Sequence, residues 1–242
     1  MHLNQMLPYS NLSAYSFVIK FLFYHRLNHF IMKPLFATIL ASVFGIVCFR
    51  LSAQTSILDS PTQKAGARHL FIDVHQLEPG KVKYEAVAEA HQKDLAVQSK
   101  YGVTFIKYWV DENKGLVYCL SSASDTESIR KTHGQAPGLL PSHIYPVTDG
   151  AEASLKGEGN LFLDIRYLGA GKVSAQDVAE AHKKDLATEH KYGVNFINYW
   201  VDEKDGTVIC LSEAKDSTSI IQTHKEAHGL LPNVVMQVKQ GQ

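Results

Sequence analysis

Cysteine is scarce in this sequence, which has only Cys48, Cys119 and Cys210 among 242 residues. So few cysteines exclude a small scaffold held together by several disulfides. Cys48 falls in an N-terminal apolar segment that we expect to be removed. The other two cysteines could pair in an oxidising compartment or remain as buried thiols, and the sequence leaves both possibilities open.

An excess charge of one sign is also missing, because 24 Lys and Arg residues balance 24 Asp and Glu residues. With no basic stripe, nucleic acid is not an expected partner. The chain has no nucleophile elbow, no glycine-rich dinucleotide or phosphate loop, no HExxH and no CxxC. The common cofactor and hydrolase chemistries therefore have no motif support.

A long apolar run is absent too, since the N-terminal run covers only residues 35–49. A membrane-spanning helix needs about 20 residues. Met32-Lys33 precedes the run and Leu51-Ser52-Ala53 follows it, the arrangement of a secretory signal. We expect 1–53 to be a signal peptide with an over-extended start, Met32 being the true initiator, and the mature protein to be periplasmic or secreted, without a stable membrane anchor. The alternative is an uncleaved anchor built from residues 14–24 and 35–49.

The remainder of the chain is a duplication. At an offset of 91 residues, which aligns His91 with His182, about half of positions 69–149 are identical to positions 160–240. Residues 150–159 between them are rich in Gly, Glu and Lys without periodicity, which is typical of a linker. We therefore predict two domains, 69–149 and 160–240, joined by a short linker.

Each copy has the same order of predicted elements. In the first copy, alternating residues predict a strand at 69–76, helical spacing predicts a helix at 85–100, and strands follow at 103–110 and 116–120. A second helix to about residue 136 and a strand at 144–147 complete the unit. This βαββαβ order predicts an α+β fold of two tandem ferredoxin-like units, packed as a pseudo-dimer like a dimeric α/β barrel.

The first strand shows two faces. Leu70, Ile72 and Val74 form a purely apolar set that we expect to face the helices, whereas Asp73 and His75 are expected to face the other repeat. On the second strand, Tyr108 and Trp109 are adjacent, and we expect Trp109 to be a packing residue.

Several polar residues recur in both copies. His91 and Asp94 lie three residues apart on one helix face, and His133 lies on the apolar side of the second helix. Imidazole and carboxylate ligands suit divalent transition metals such as nickel or zinc. The predicted metal ligands are therefore the residues of this trio and their copies: His91, Asp94, His133, His182, Asp185 and His224. Cys119 is expected to be a buried structural thiol, and His228 has no counterpart because the first copy has Pro137.

The motifs A-H-x-K-D-L, Y-G-V-x-F-x-x-Y-W-V-D-E, C-L-S and T-H-x-x-A-x-G-L-L-P occur in both copies. They resemble a bacterial family catalogued as a domain of unknown function, to which a nickel-binding ferredoxin-like protein belongs. The resemblance implies a ferredoxin-like fold, paired units and possible nickel binding. It also assigns His133 and His224 to the family's histidine on the second helix. Since members often have a single unit, the tandem form would replace a homodimer.

Three functions remain open. The first is an exported binder of a divalent transition metal, whose repeats pair with each other. The second is an enzyme of the dimeric α/β-barrel kind, with Asp73, His75 and Tyr108 lining an inter-repeat cavity for a small organic substrate. The third is a non-catalytic interaction domain with structural histidines. We rank them in this order.

Overall fold

A computed structural model describes residues 67–136, 138–150 and 152–242. The predicted signal peptide, residues 1–53, lies outside the described residues. Within the described part, no helix combines the length and the apolar character needed to cross a membrane.

Each repeat contains four strands and two helices in the predicted order. The first repeat comprises β1 (His69–Gln76), α1 (Tyr84–Val97), β2 (Thr104–Asp111), β3 (Leu116–Ala123), α2 (Thr126–Gln135) and β4 (His143–Asp149). The second comprises β5 (Asn160–Tyr167), α3 (Ala175–Thr188), β6 (Asn195–Asp202), β7 (Thr207–Ala214), α4 (Ser217–Ala227) and β8 (Val234–Gly241). The predicted first helix differs slightly, because its last residues, Gln98–Tyr101, form a 3₁₀ turn.

Side-chain caps and turns explain several of these boundaries. The Asp125 carboxylate accepts a hydrogen bond from the Ser128 backbone N–H at 2.8 Å, which starts α2. Glu112 accepts from the Tyr84 backbone N–H at 2.9 Å, so the end of β2 caps α1. Gly115 closes the β2–β3 turn with φ +67°, and a Cβ there would lie 2.6 Å from the Leu77 carbonyl oxygen.

The eight strands form one closed barrel in the order β1-β3-β2-β8-β5-β7-β6-β4. Within each repeat the sheet is antiparallel, and the last strand of each repeat extends onto the second strand of the other. Thr148 and Asp149 of β4 pair with Val201 and Trp200 of β6, and the end of β8 pairs with β2. Closure leaves no free edge between the repeats, so the two copies form one sheet.

The inside of the barrel is apolar. Trp109 and Trp200 meet there with ring centroids 5.1 Å apart, which confirms that Trp109 is a packing residue. Ile72 and Leu163, at equivalent positions in the two repeats, are fully buried in the same cluster. The helices lie outside the barrel, where Ile129 of α2 packs with Phe71 and Val117.

The predicted orientation of the first strand was wrong. Ile72 and Val74 belong to the barrel interior, whereas Phe71 packs beneath the helices. Alternation shows which residues share a face, but both faces of this sheet are buried, so the pattern alone does not say which face meets the helices. The purely apolar face lines the interior, while on the other face His133 of α2 lies against Asp73, which also pairs with His75.

Candidate metal centre

A polar cluster is buried beneath the helix pair of the first repeat. The Asp73 carboxylate on β1 has no exposed surface, and His75, two residues further along the same face, is 5% exposed. His75 Nε2 donates a hydrogen bond to Asp73 Oδ2 at 3.1 Å. Because β1 pairs with β3 in register at Asp73 and Cys119, the thiol of Cys119 lies on the same face. The three residues each place one potential ligand atom within 4.8 Å of the others.

His133 on α2 contacts this cluster from the helix side. Its Nδ1 donates to Asp94 Oδ1 of α1 at 3.1 Å, which fixes the orientation of the ring. Its Nε2 lies 3.2 Å from Asp73 Oδ2, which is an ion-pair distance but not a hydrogen bond. Asp73 therefore lies between the two imidazoles of His75 and His133, whose ring centroids are 4.7 Å apart.

The charges in the cluster influence one another. Burial alone would lower the pKa of His133, but Asp73 and Asp94 outweigh it and raise the pKa to about 9. Burial opposes ionisation of Asp73, yet His133 and His75 outweigh that effect and lower its pKa. Burial, reinforced by Asp73 and Asp94, raises the pKa of the Cys119 thiol well above its usual range. A metal bound to Cys119 must displace the proton of its thiol.

Three buried polar atoms of the cluster have no hydrogen-bond partner: Asp73 Oδ1, His75 Nδ1 and His133 Nε2. Unpaired buried polar atoms are costly and uncommon, so their concentration in one place needs an explanation. Two of the three residues, His75 and His133, line a cavity of about 200 Å³, together with His91 and Cys119. A bound cation would satisfy Asp73 Oδ1 and His75 Nδ1, and imidazole, thiolate and carboxylate are the ligand types for nickel or zinc.

The spacing is compatible with a metal after a small adjustment. Zinc lies about 2.0–2.3 Å from its ligands, so tetrahedral ligand atoms are separated by roughly 3.3–3.8 Å. The atoms of Asp73, His75 and Cys119 span up to 4.8 Å. A shift of about 1 Å inward would complete the coordination, which is within the reach of side-chain rotation.

The predicted ligand residues are only partly brought together. Asp94 and His133 are directly hydrogen bonded, as are Asp185 and His224 at 2.9 Å. His91 lines the cavity, with its ring centroid 4.7 Å from that of Tyr108. Burial lowers the pKa of His91, which favours its neutral form. Whether His91, Asp94, His133 and their copies coordinate a metal directly stays a prediction.

Asp73 and His75 were not predicted as members of this cluster, because we expected both side chains to face the other repeat. Asp73, His75 and Tyr108 in fact lie under the helices, so they do not line a cavity between the repeats as the enzyme hypothesis required. Their signal was present in the sequence. Asp73 is repeated as Asp164, each directly between two apolar residues of its strand, and a buried carboxylate needs a partner.

The second repeat has an equivalent cluster, in which one of the two strand residues is different. Asp164, Asp185, Cys210 and His224 correspond to Asp73, Asp94, Cys119 and His133, but Arg166 stands where the first repeat has His75. Arg166 Nη1 donates to Asp164 Oδ1 at 2.8 Å and lies 3.5 Å from Cys210 Sγ. The cavity here is about 60 Å³.

His228 adds a further difference. Its Nε2 donates to Asp185 Oδ2 at 3.2 Å, and its Nδ1 accepts from the Leu230 backbone N–H. Burial opposes the ionisation of Asp185, but His224 and His228 outweigh it and lower the pKa of Asp185 to about 2. Asp185, His224 and His228 also have one potential ligand atom each within 4.8 Å of the others. Cys119 and Cys210 are both free, buried thiols.

Comparison with known proteins identifies the class. The family described as "Nickel responsive protein SCO4226-like" matches residues 71–147 and 162–238, more than half of the chain. The chain therefore belongs to this family, present as two tandem copies.

The chain is also similar to several solved structures. SCO4226 from Streptomyces coelicolor A3(2) is 34% identical over 34% of this chain and 99% of its own, with a TM-score of 0.32. A chlorite dismutase from Candidatus Nitrospira defluvii is 8% identical over 74% of this chain and 92% of its own, with a TM-score of 0.44. A heme-binding protein from Thermus thermophilus is 12% identical over 73% of this chain and 92% of its own, with a TM-score of 0.37. No curated protein matches the chain.

Proposed function

We propose that this protein binds a divalent transition metal, nickel being the first candidate, in the buried cluster of the first repeat. Asp73, His75 and Cys119 are the ligands in this proposal. His133 Nε2 lies against Asp73, and Asp94 orients the His133 ring. His133 and Asp94 therefore hold the Asp73 carboxylate in position. The observation that carries the proposal is the pair of unpartnered buried atoms on two of these ligands, Asp73 Oδ1 and His75 Nδ1.

The chemistry of the site favours a metal with mixed nitrogen, sulfur and oxygen ligands. Such sets suit nickel and zinc better than calcium or magnesium, which prefer oxygen alone. The family's printed description, nickel responsive, agrees with this choice. Because the Cys119 thiol must lose its proton on binding, affinity should rise with pH.

Metal content after dialysis of the untagged protein against equal concentrations of nickel and zinc tests the proposal. We expect near-stoichiometric metal in the parent and its loss in His75→Ala and Cys119→Ser. His143→Ala is the matched control, because His143 is 46% exposed and lies outside the cluster. A parent protein that retains no metal, and whose melting temperature does not respond to nickel, would refute metal binding.

His91→Ala separates two versions of the site. If the metal is held by Asp73, His75 and Cys119, removing the His91 imidazole should lower the affinity only moderately, since His91 lines the cavity. If His91 is itself a ligand, this variant should lose metal as completely as His75→Ala.

We also propose that the protein is exported, on the strength of the apolar run at 35–49 and the Leu51-Ser52-Ala53 sequence after it. N-terminal sequencing of the protein recovered from the periplasm or the medium should begin at Gln54. Recovery of an uncut chain from the membrane fraction would favour the anchor instead.

A further inference from the structure

The two repeats differ at one decisive position. Residue 75 and residue 166 are equivalent, on β1 and β5, and each lies next to a fully buried aspartate. His75 can carry a proton or give a lone pair to a metal, whereas a guanidinium keeps its charge and has no lone pair to give. The two clusters of equivalent residues thus contain a potential metal ligand at this position in one repeat and a permanent cation in the other.

Arg166 occupies the position that a metal would take between the equivalent ligands. Its Nη1 lies 2.8 Å from Asp164 Oδ1 and 3.5 Å from Cys210 Sγ. These are the counterparts of Asp73 and Cys119, two of the three proposed ligands. Arg166 Nε also donates to the Leu230 carbonyl at 3.1 Å, so the guanidinium is held from both sides.

The hydrogen-bond partners in the two clusters also differ in the way that this substitution predicts. In the first repeat, Asp73 Oδ1, His75 Nδ1 and His133 Nε2 lack hydrogen-bond partners. In the second, Asp164 Oδ1 is taken by Arg166, and His224 Nε2 lies within 3.5 Å of Asp164 Oδ2. The cavity is about 200 Å³ in the first repeat and about 60 Å³ in the second. In the second cluster the aspartate is thus already paired with a cation and the cavity is smaller, although Arg166 Nη2 has no hydrogen-bond partner there.

We propose that the chain has one metal site, in the first repeat, and that Arg166 is a built-in cation that replaces the metal in the second. This rests on the proposed function. A guanidinium between Asp164 and Cys210 repels a divalent ion and takes the place between these two residues. The other potential ligands of the second repeat are already paired, because His224 Nδ1 and His228 Nε2 both hydrogen bond to Asp185. The second repeat then completes the barrel whether or not metal is present, and the first repeat alone responds to the metal.

Reciprocal exchange of the two residues tests this inference. The variants are His75→Arg and Arg166→His, each compared with the parent for nickel bound per chain and for melting temperature with and without nickel. We expect one nickel in the parent, at least ~100-fold weaker binding in His75→Arg, and a second nickel in Arg166→His. Two nickel ions in the parent, or failure of a well-folded Arg166→His protein to gain one, would overturn the inference while leaving metal binding intact.

Melting of the metal-free proteins tests the role of Arg166 independently of metal. Metal-free His75→Arg should melt at or above the temperature of the metal-free parent, because its guanidinium can donate to Asp73 Oδ1, which has no partner in the parent. Metal-free Arg166→Gln should melt below the parent, because it leaves Asp164 without its cation. The opposite order would overturn the inference. A parent that binds no nickel, combined with the expected order of melting, would refute the proposed function instead. If Arg166→His does not fold, Arg166→Gln serves for the nickel count and should stay at one.

Discussion

The imidazole of His133 makes the stability of the metal-free protein depend on pH in a specific window. His133 is 2% exposed and lies between the carboxylates of Asp73 and Asp94. The other groups facing it are His75 on β1, His91 on α1 and Cys119 on β3. The folded protein holds the His133 proton more tightly than the unfolded chain does, because the two carboxylates outweigh the effect of burial on its pKa.

The size of the effect follows from the two pKa values. The pKa of His133 rises from 6.5 in the unfolded reference to about 9 in the folded protein. At about 1.36 kcal/mol for each pKa unit, this contributes about 3 kcal/mol to the free energy of unfolding. Since the folded pKa is the raised one, the contribution is complete below pH 6.5 and is lost progressively as the pH rises to about 9.

Urea denaturation of metal-free parent and His133→Gln proteins between about pH 6 and pH 10 measures this contribution. The difference in unfolding free energy between them should shrink by about 3 kcal/mol across the window. His224 titrates in both proteins, so its effect cancels in the difference. His143→Gln, which changes an exposed histidine, should follow the parent at every pH. Equal pH slopes for parent and His133→Gln would refute the reasoning.

Three further predictions concern stability, each measured by urea denaturation at neutral pH. Asp73→Ala should lower the free energy of unfolding by about 3–5 kcal/mol, because it leaves His133 buried without the Asp73 carboxylate. The control Glu127→Ala, on the surface, should change it by less than about 0.5 kcal/mol, and similar losses for the two variants would contradict the expectation. Ile72→Ala should lower the free energy of unfolding by about 2–5 kcal/mol, because it opens a cavity inside the barrel. Leu140→Ala, which changes a 56% exposed side chain, should lower it little, and equal losses would contradict the placement of Ile72 in the interior. Asp125→Ala should cost about 1 kcal/mol through loss of the α2 cap, and no measurable change would show that the cap is dispensable.

The duplication and the order of elements could be predicted because they depend on local patterns. The alternation in 69–76 predicted β1 with the bounds that the structure has. Closure of the barrel followed from the need of two one-sided sheets to cover each other. These features rest on residues close in the sequence or on the general requirement for apolar burial.

The composition of the candidate site could not be predicted as well. The sequence placed His91 and Asp94 together from helical spacing, and it placed His133 near them from the packing of the two helices. It did not place Asp73 and His75 there, because the strand pattern is ambiguous when both faces are buried. The contact between Arg166 and Cys210 depends on strand register and side-chain reach, which no local pattern encodes.

The most direct test of the central claim is the position of the metal itself. A crystal of the nickel-loaded protein, measured at the nickel absorption edge, locates every bound nickel by its anomalous scattering. We expect one strong peak per chain among Asp73, His75 and Cys119, and none beside Arg166. A peak only at surface histidines, or equal peaks in both repeats, would contradict it.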